Sequence, residues 1–300
     1  MKVGSEKEKW ILLILLTIIW GSSFILIKKS LDYFTPYQVG SLRVLIAGII
    51  LFPLAIKNKK AFRKKDIKYL IIAAACGNFI PMFLFPLAET EVSSSIAGII
   101  NSMVPIFVII LGSFFWNTKT TKMQIFGTII SFLGVCILAF DHQSGDQTKF
   151  WPLLLLLMAT VFYAINGLTV KTSLSHIGPR ALSSVVFGYV LLLPSMISLI
   201  LSGFFQDTQE SGLSLEGLLY VGLLSIFGTG LAMMLNYRLL SVSSALFTSI
   251  VTLLMPIVAV IWGVLDGEQV SMGQVLGGVI IILGLLFLRS EKKYTSHKER

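Results

Sequence analysis

The chain has 300 residues, 55% of them hydrophobic and only 13% charged, against about 25% charged in an ordinary soluble domain. Its apolar residues come in blocks of about 18 to 23, the length an α-helix needs to cross a hydrocarbon core. That excludes a water-soluble fold and, because barrel strands are short and alternating, a closed β-barrel. The formal charge of +9 is spread over short loops and the two ends, which argues against a nucleic-acid partner and for anchoring at anionic lipid headgroups.

Ten membrane-spanning helices are expected. The first covers 10–28. Lys2, Lys7 and Lys9 followed by an apolar run from Trp10 look like a signal peptide, but Trp20-Gly21-Ser22-Ser23-Phe24 extends the run without a small-x-small cleavage site, so it reads as a retained helix. Asp32 to Pro36 interrupts the chain before the second helix, 38–56, and the cluster Lys57, Lys59, Lys60, Arg63, Lys64, Lys65 and Lys68 follows it. Helices are then expected at 67–87, 93–115 and 123–140. After the polar stretch Asp141 to Lys149 come 152–171, 181–202, 215–236, 243–265 and 273–289, with Gln206 to Gly212 as a second polar break. The chain therefore divides into a cytoplasmic N-tail (1–9), a five-helix unit (10–140), a polar connection (141–151), a second five-helix unit (152–289) and a basic C-tail (290–300).

Cationic residues retained on the cytoplasmic side orient such a chain. With the N-terminus inside, 20 of the 24 Lys and Arg residues fall on the cytoplasmic side and 3 (Lys28, Lys29, Lys149) on the other, with Arg43 inside a span. Both termini are expected in the cytoplasm, which requires an even number of crossings. Cys76 and Cys136 both sit in apolar blocks, with neither disulfide nor metal-ligand spacing.

The chain also repeats itself. A shift of 151 lays residues 92–105 over 243–256 and places Gly77 on Gly228, Gly112 on Gly263 and Pro105 on Pro256. One residue of slippage later, Gln124, Gly127 and Gly134 fall on Gln274, Gly277 and Gly284. Near the front a shift of 143 pairs Lys28 with Lys171, Leu31 with Leu174 and Pro36 with Pro179. Units of five helices enter the membrane in opposite senses, the inverted-repeat construction of carriers that bind solute at the midplane.

With Trp20-Gly21-Ser22-Ser23-Phe24 in the first helix, Ser41-Leu42-Arg43 in the second, serine pairs ahead of Pro105 and Pro256, and Gly267-Glu268 followed by Gln274-x-x-Gly277, residues 10–289 resemble the EamA-type members of the drug/metabolite transporter superfamily. The resemblance implies a ten-helix basket whose cavity is lined by helices one to four and six to nine, with five and ten as packing support. It implies transport of an amino acid, metabolite or drug-like solute, with efflux the expected direction. One departure is visible: Trp116-Asn117-Thr118-Lys119 stands in the first half where the second has Gly267-Glu268.

Arg43 is the foremost site candidate, the one formal charge well inside an expected span. Such a residue faces a wet cavity or a partner, or else snorkels to the surface. The uncharged polar residues Ser22, Ser23, Asn78, Asn101, Asn166, Asn236, Thr248 and Thr252 should point inward, because hydrogen-bonding groups in lipid need satisfaction; interhelical bonding accounts for any one of them equally well. Trp20, Tyr163 and Trp262 are candidates for an aromatic wall, while Trp10, Trp116 and Trp151 suit the interfaces. Pro105 and Pro256 are expected to mark matched helix breaks, and Gly273-x-x-x-Gly277 a close helix contact. All fifteen Asp and Glu residues, Glu89 and Glu268 among them, fall in expected loops or tails. A buried carboxylate relay is therefore not expected, leaving facilitated diffusion, exchange or coupling near the surface.

An enzyme is disfavoured because His142, His176 and His297 lie in loops or the tail and no His-Glu-x-x-His or paired intramembrane aspartates occur. A channel or receptor-like protein needs no reactive residues and stays open as an alternative. No cofactor or metal is expected. The expected partners are a small-molecule substrate and the lipid bilayer, a homodimer is left open, and a bacterial inner membrane suits the compact loops.

Overall fold

The computed structural model describes residues 5–118, 121–139, 149–268 and 270–288. Lys119, His142, His297, most of the polar connection, the C-tail, and the side chains of Gln124, Cys136 and Gln274 lie outside the described residues. In chain order the principal helices are α1 (Glu6–Leu31), α2 (Pro36–Lys57), α3 (Lys64–Glu89), α4 (Ser94–Trp116), α5 (Lys122–Ala139), α6 (Phe150–Ser173), α7 (Pro179–Leu201), α8 (Leu215–Val242), α9 (Ala245–Leu265) and α10 (Met272–Leu288). Among the described residues, eight of these, all but α5 and α10, are long and apolar enough to cross a membrane. The described lengths of α5 and α10, 18 and 17 residues, lie at the short end of what a bilayer needs. A short helix, Phe204–Ser211, lies between α7 and α8.

The polar breaks in the sequence become helix caps. Thr35 accepts from the Gln38 backbone while the Gln38 side chain accepts from the Thr35 backbone at 3.0 Å, a reciprocal pair that starts α2 with Pro36 in its first turn. Ser93, Ser214 and Ser244 cap α4, α8 and α9, each hydroxyl accepting one backbone N–H of the first turn.

The pattern of burial is that of a protein dissolved in lipid. Phe114, Leu201 and Leu215 are 80–81% exposed, and apolar side chains such as Ile49, Ile129, Leu193, Ile261 and Leu286 continue the greasy exterior. Inside, Ser41, Asn78, Ser102, Ser131, Thr160, Ser183, Ser195, Ser225 and Thr229 are fully buried, and most of their hydroxyls bond a carbonyl three to five residues back on the same helix. This is a multi-pass integral membrane protein.

Three stretches depart from the α-helical ladder into wider π turns: Ala75–Phe79 in α3, Val186–Leu191 in α7 and Ile226–Leu231 in α8. The first and third coincide under the 151-residue shift. The breaks ahead of the two prolines do not: α4 is interrupted at Ser102 and Met103, just before Pro105, whereas α9 is interrupted at Ile250, well before Pro256.

α5 and α10 pack on one another through a reciprocal contact. A Cβ added at Gly134 would stand 2.7 Å from the Gly277 carbonyl, and one at Gly284 would stand 2.6 Å from the Gly127 carbonyl. The Ser131 hydroxyl donates to the Ile281 carbonyl at 3.2 Å. The 150-residue shift carries Gly134 onto Gly284, Gly127 onto Gly277 and Ser131 onto Ile281, so the two glycine contacts are counterparts of one another and residue i meets j where j meets i, as across a two-fold axis. Gly277 of the Gly-x-x-x-Gly pair is therefore part of the close contact. Gly134→Leu is expected to force α5 and α10 apart and to destabilise the purified protein by about 1–3 kcal/mol, whereas Gly278→Ala, which meets nothing within 4 Å, should leave the melting temperature in detergent unchanged.

Candidate functional site

The site is built on the π turn of α8. Such a turn displaces a backbone carbonyl from its regular helical pairing. Here the Gly228 carbonyl accepts the Trp20 indole N–H at 2.9 Å, with the Arg43 Nη2 at 3.5 Å. The neighbouring Thr229 hydroxyl accepts the Arg43 Nε at 2.7 Å and itself donates to the Leu224 carbonyl five residues back. α1 can approach closely because residue 228 is glycine: a Cβ there would stand 2.5 Å from the Ser23 hydroxyl. Arg43 is 5% exposed and bonded inward, so it does not snorkel.

Around this point α1, α2, α3, α4, α6, α8 and α9 enclose a cavity. Trp20, Ser23, Arg43, Asn101, Tyr163, Asn166, Asn236, Thr248 and Thr252 line it, together with Phe24, Met82, Phe85, Val104, Val108, Met233, Leu240 and Met255. It offers about 90 Å³ to water centres, several times the roughly 10–15 Å³ that one water requires, which suits a small solute. Arg43 is the one charged side chain among the described lining residues. The Oδ1 atoms of Asn101 and Asn166 are buried acceptors without a hydrogen-bond partner. Tyr163 stacks on Phe85 at 5.9 Å between ring centres, and Phe85 meets Phe24 at 5.7 Å.

Three expected site residues lie elsewhere. Ser22 accepts the Trp262 indole N–H at 2.8 Å, a bond that ties α1 to α9, and Trp262 is 42% exposed on the outside of the bundle; the aromatic wall uses Phe24 and Phe85 in its place. Asn78 is fully buried in the π turn of α3, beside Tyr237 of α8, and is absent from the lining.

The two halves contribute matched contacts. Under the shift of 143, Trp20 corresponds to Tyr163 and Ser23 to Asn166. A Cβ at Gly77, the counterpart of Gly228, would collide with the Asn166 amide just as one at Gly228 would collide with Ser23. Arg43 breaks the match, because its counterpart is Val186.

At the end of the bundle where α1, α3 and α9 finish, Glu268 ties α1 and the start of α4 to the end of α9. Its carboxylate accepts from the Ser94 and Ser95 backbone N–H groups at 3.0 and 3.3 Å, from their hydroxyls at 2.8 and 2.7 Å, and from Lys28 at 2.7 Å. Lys29 pairs with Asp266 beside it at 2.5 Å. Charge at the start of α4 is also favoured by that helix's dipole. Burial pushes the Glu268 carboxyl upward, but Lys28, Ser95 and Ser94 outweigh it and hold the group below the usual carboxylate range. At the opposite end the counterpart residue, Asn117, takes a left-handed conformation with φ 49°. There Lys171 donates to the Leu240 and Ser243 carbonyls, and Asp66 meets His176 at 3.1 Å.

Glu89 overturns the expectation that all carboxylates lie in loops or tails. It is the last residue of α3, is 5% exposed, and neither carboxylate oxygen has a hydrogen-bond partner. It lies within electrostatic reach of Arg43, Lys28 and Glu268. Sequence reading missed it because Glu89-Thr90-Glu91 looks like a polar loop, and only the length of α3 draws Glu89 inside. Glu268 was visible as a motif residue, but its five-fold bonding was not.

The EamA-like transporter family matches residues 8–140 and again 150–290. A transporter of Archaeoglobus fulgidus is 29% identical over 282 residues, covering 93% of this chain and 97% of its own. The inner membrane transporter YedA of Escherichia coli K12 is 29% identical over 281 residues, 90% of this chain and 87% of its own. A protein of Salmonella typhimurium named as a probable amino-acid metabolite efflux pump is 25% identical over 294 residues, 93% and 94% of the two chains. A solved crystal structure shares the fold, with a TM-score of 0.65 at 13% identity over 95% of this chain and 97% of its own.

The bonding of Glu268 carries a pH dependence. A carboxyl held low in the folded state contributes stability that is present above its unfolded pKa of about 4.3 and lost as pH falls through the folded value. Glu268→Gln is expected to cost about 1.5–3 kcal/mol at neutral pH. Thermal unfolding in detergent across pH should show the gap between the two proteins closing on the acid side.

Proposed function

This chain belongs to the EamA-like transporter family, and we propose that it is an exporter of amino acids or closely related metabolites, working by alternating access through the cavity around Arg43. The observation that carries the reading is the cavity's chemistry. A lone guanidinium meets a carboxylate, the unpartnered Asn101 and Asn166 oxygens accept N–H donors such as an ammonium group, and Trp20, Tyr163, Phe24 and Phe85 hold an apolar side chain. The name of the Salmonella relative points to the same solute class.

Ten crossings arranged as two inverted five-helix repeats, with both termini in the cytoplasm, accord with the paired family matches, the coincident π turns of α3 and α8, the reciprocal α5–α10 contact and the 20-to-3 division of cationic residues. In that orientation the Glu268 closure faces outward. The cavity lining runs from Ile27 past the midplane to Val108, Leu240 and Ala245, toward the cytoplasmic ends of α4, α8 and α9, as in a carrier closed to the outside. A bacterial inner membrane, the location named for YedA, suits this reading. A carrier is favoured over a channel by the closed Glu268 end, and over an enzyme by the family, whose relatives are named as transporters.

Counterflow in proteoliposomes loaded with mixed amino acids tests the reading. Labelled amino acid should enter saturably and faster when unlabelled solute is inside. Arg43→Ala should reduce this at least tenfold, about 1.4 kcal/mol or more for a lost charge-assisted bond, while the protein elutes as a single folded species. Unsaturable flux that ignores internal solute would favour a channel.

A further inference from the structure

Glu89 is a buried carboxyl that the binding site does not use, and its surroundings are poor for an anion. It ends α3, where the helix dipole presents its negative pole. Every cation within reach is engaged elsewhere: Lys28 of α1 with Glu268 at 2.7 Å, and Arg43 of α2 with Thr229 at 2.7 Å. Tyr163 of α6 lies within electrostatic reach of Arg43, Glu268 adds a second negative charge nearby, and α4 presents the hydroxyls of Ser94 and Ser95, both turned to Glu268. A bare carboxylate without donors is far more costly in such a place than the neutral acid.

We propose that Glu89 is a proton-binding site whose occupancy closes the Glu268 end of the carrier and whose emptying opens it. The closed state requires the neutral acid. Opening lets water reach Glu89 and parts Lys28 from Glu268, and both changes stabilise the carboxylate. Closure thus takes up one proton, and opening releases it. The proton is taken up from and returned to the same face, so the pH on that side sets the balance between the open and the closed state. The inference rests on the proposed carrier cycle, and on the proposed orientation for which face is called outer.

The test needs no known substrate. In the full-length protein with Cys76→Ala and Cys136→Ala, Ile27→Cys places a thiol one residue before Lys28 on the cavity wall. Right-side-out and inverted membrane vesicles are treated with a membrane-impermeant thiol reagent from pH 6 to 9. Rates are divided by those of Leu213→Cys, an exposed control that cancels the thiol's own titration. Normalised labelling from outside should rise with pH, with a slope approaching about tenfold per pH unit, the limit for one linked proton. Glu89→Gln should stay at the low-pH level throughout, Glu89→Asp should restore a slope, and Glu268→Gln should raise labelling at every pH while keeping it. Labelling indifferent to pH, or an unchanged slope in Glu89→Gln, would overturn the proposal. A Glu89-dependent slope seen only from the face bearing Lys57 to Lys68 would uphold Glu89 and overturn the orientation.

Discussion

Lipid offers no partner to an unpaired backbone group, so each carbonyl displaced from a helical ladder inside the bundle must be used by the protein itself. In α8 that constraint is turned into a site. The π turn at Ile226–Leu231 presents the Gly228 carbonyl and the Thr229 hydroxyl to α1 and α2, and two donors, the Trp20 indole and the Arg43 guanidinium, converge on them. A buried guanidinium held at its Nε keeps donors for the cavity it lines. Glycine at 228 lets α1 come near enough for this to happen. Placement of the Arg43 guanidinium and of the Trp20 ring both follow from the same bulge.

The matched bulge at Ala75–Phe79 in α3 shows how a repeated fold acquires a directional site. Both bulges carry a glycine packed on a polar residue of the partner helix, Gly228 on Ser23 and Gly77 on Asn166. Only the second-half bulge meets an arginine, since the position equivalent to Arg43 is Val186. The ends are also unequal: one is bolted by a carboxylate on the start of α4, the other has Asn117 in that place. The two halves thus differ at a few polar positions, Arg43 against Val186 and Glu268 against Asn117.

Much of the site was legible from residue type because polar groups within long apolar runs must face protein rather than lipid. Ser23, Arg43, Asn101, Asn166, Asn236, Thr248 and Thr252 line the cavity on that ground, joined by the aromatic candidates Trp20 and Tyr163. The same rule could not separate lining from bracing: Ser22 and Trp262 satisfy each other across α1 and α9, and Asn78 is buried inside its own bulge. Proline was a poor guide to helix breaks, since the interruption at Ile250 lies well ahead of Pro256.

Membrane residence, helix positions to within a few residues, the internal repeat and the family were properties of the sequence itself, because hydropathy blocks and repeated motifs are local and survive without coordinates. Tertiary structure alone decided which carboxylates matter. Whether Glu89 ends a loop or a buried helix depends on how far α3 extends, and whether Glu268 is a surface residue depends on α4 starting within bonding distance of it. Charge in a chain takes its meaning from what surrounds it, and that is set by helices far apart in sequence brought together in space.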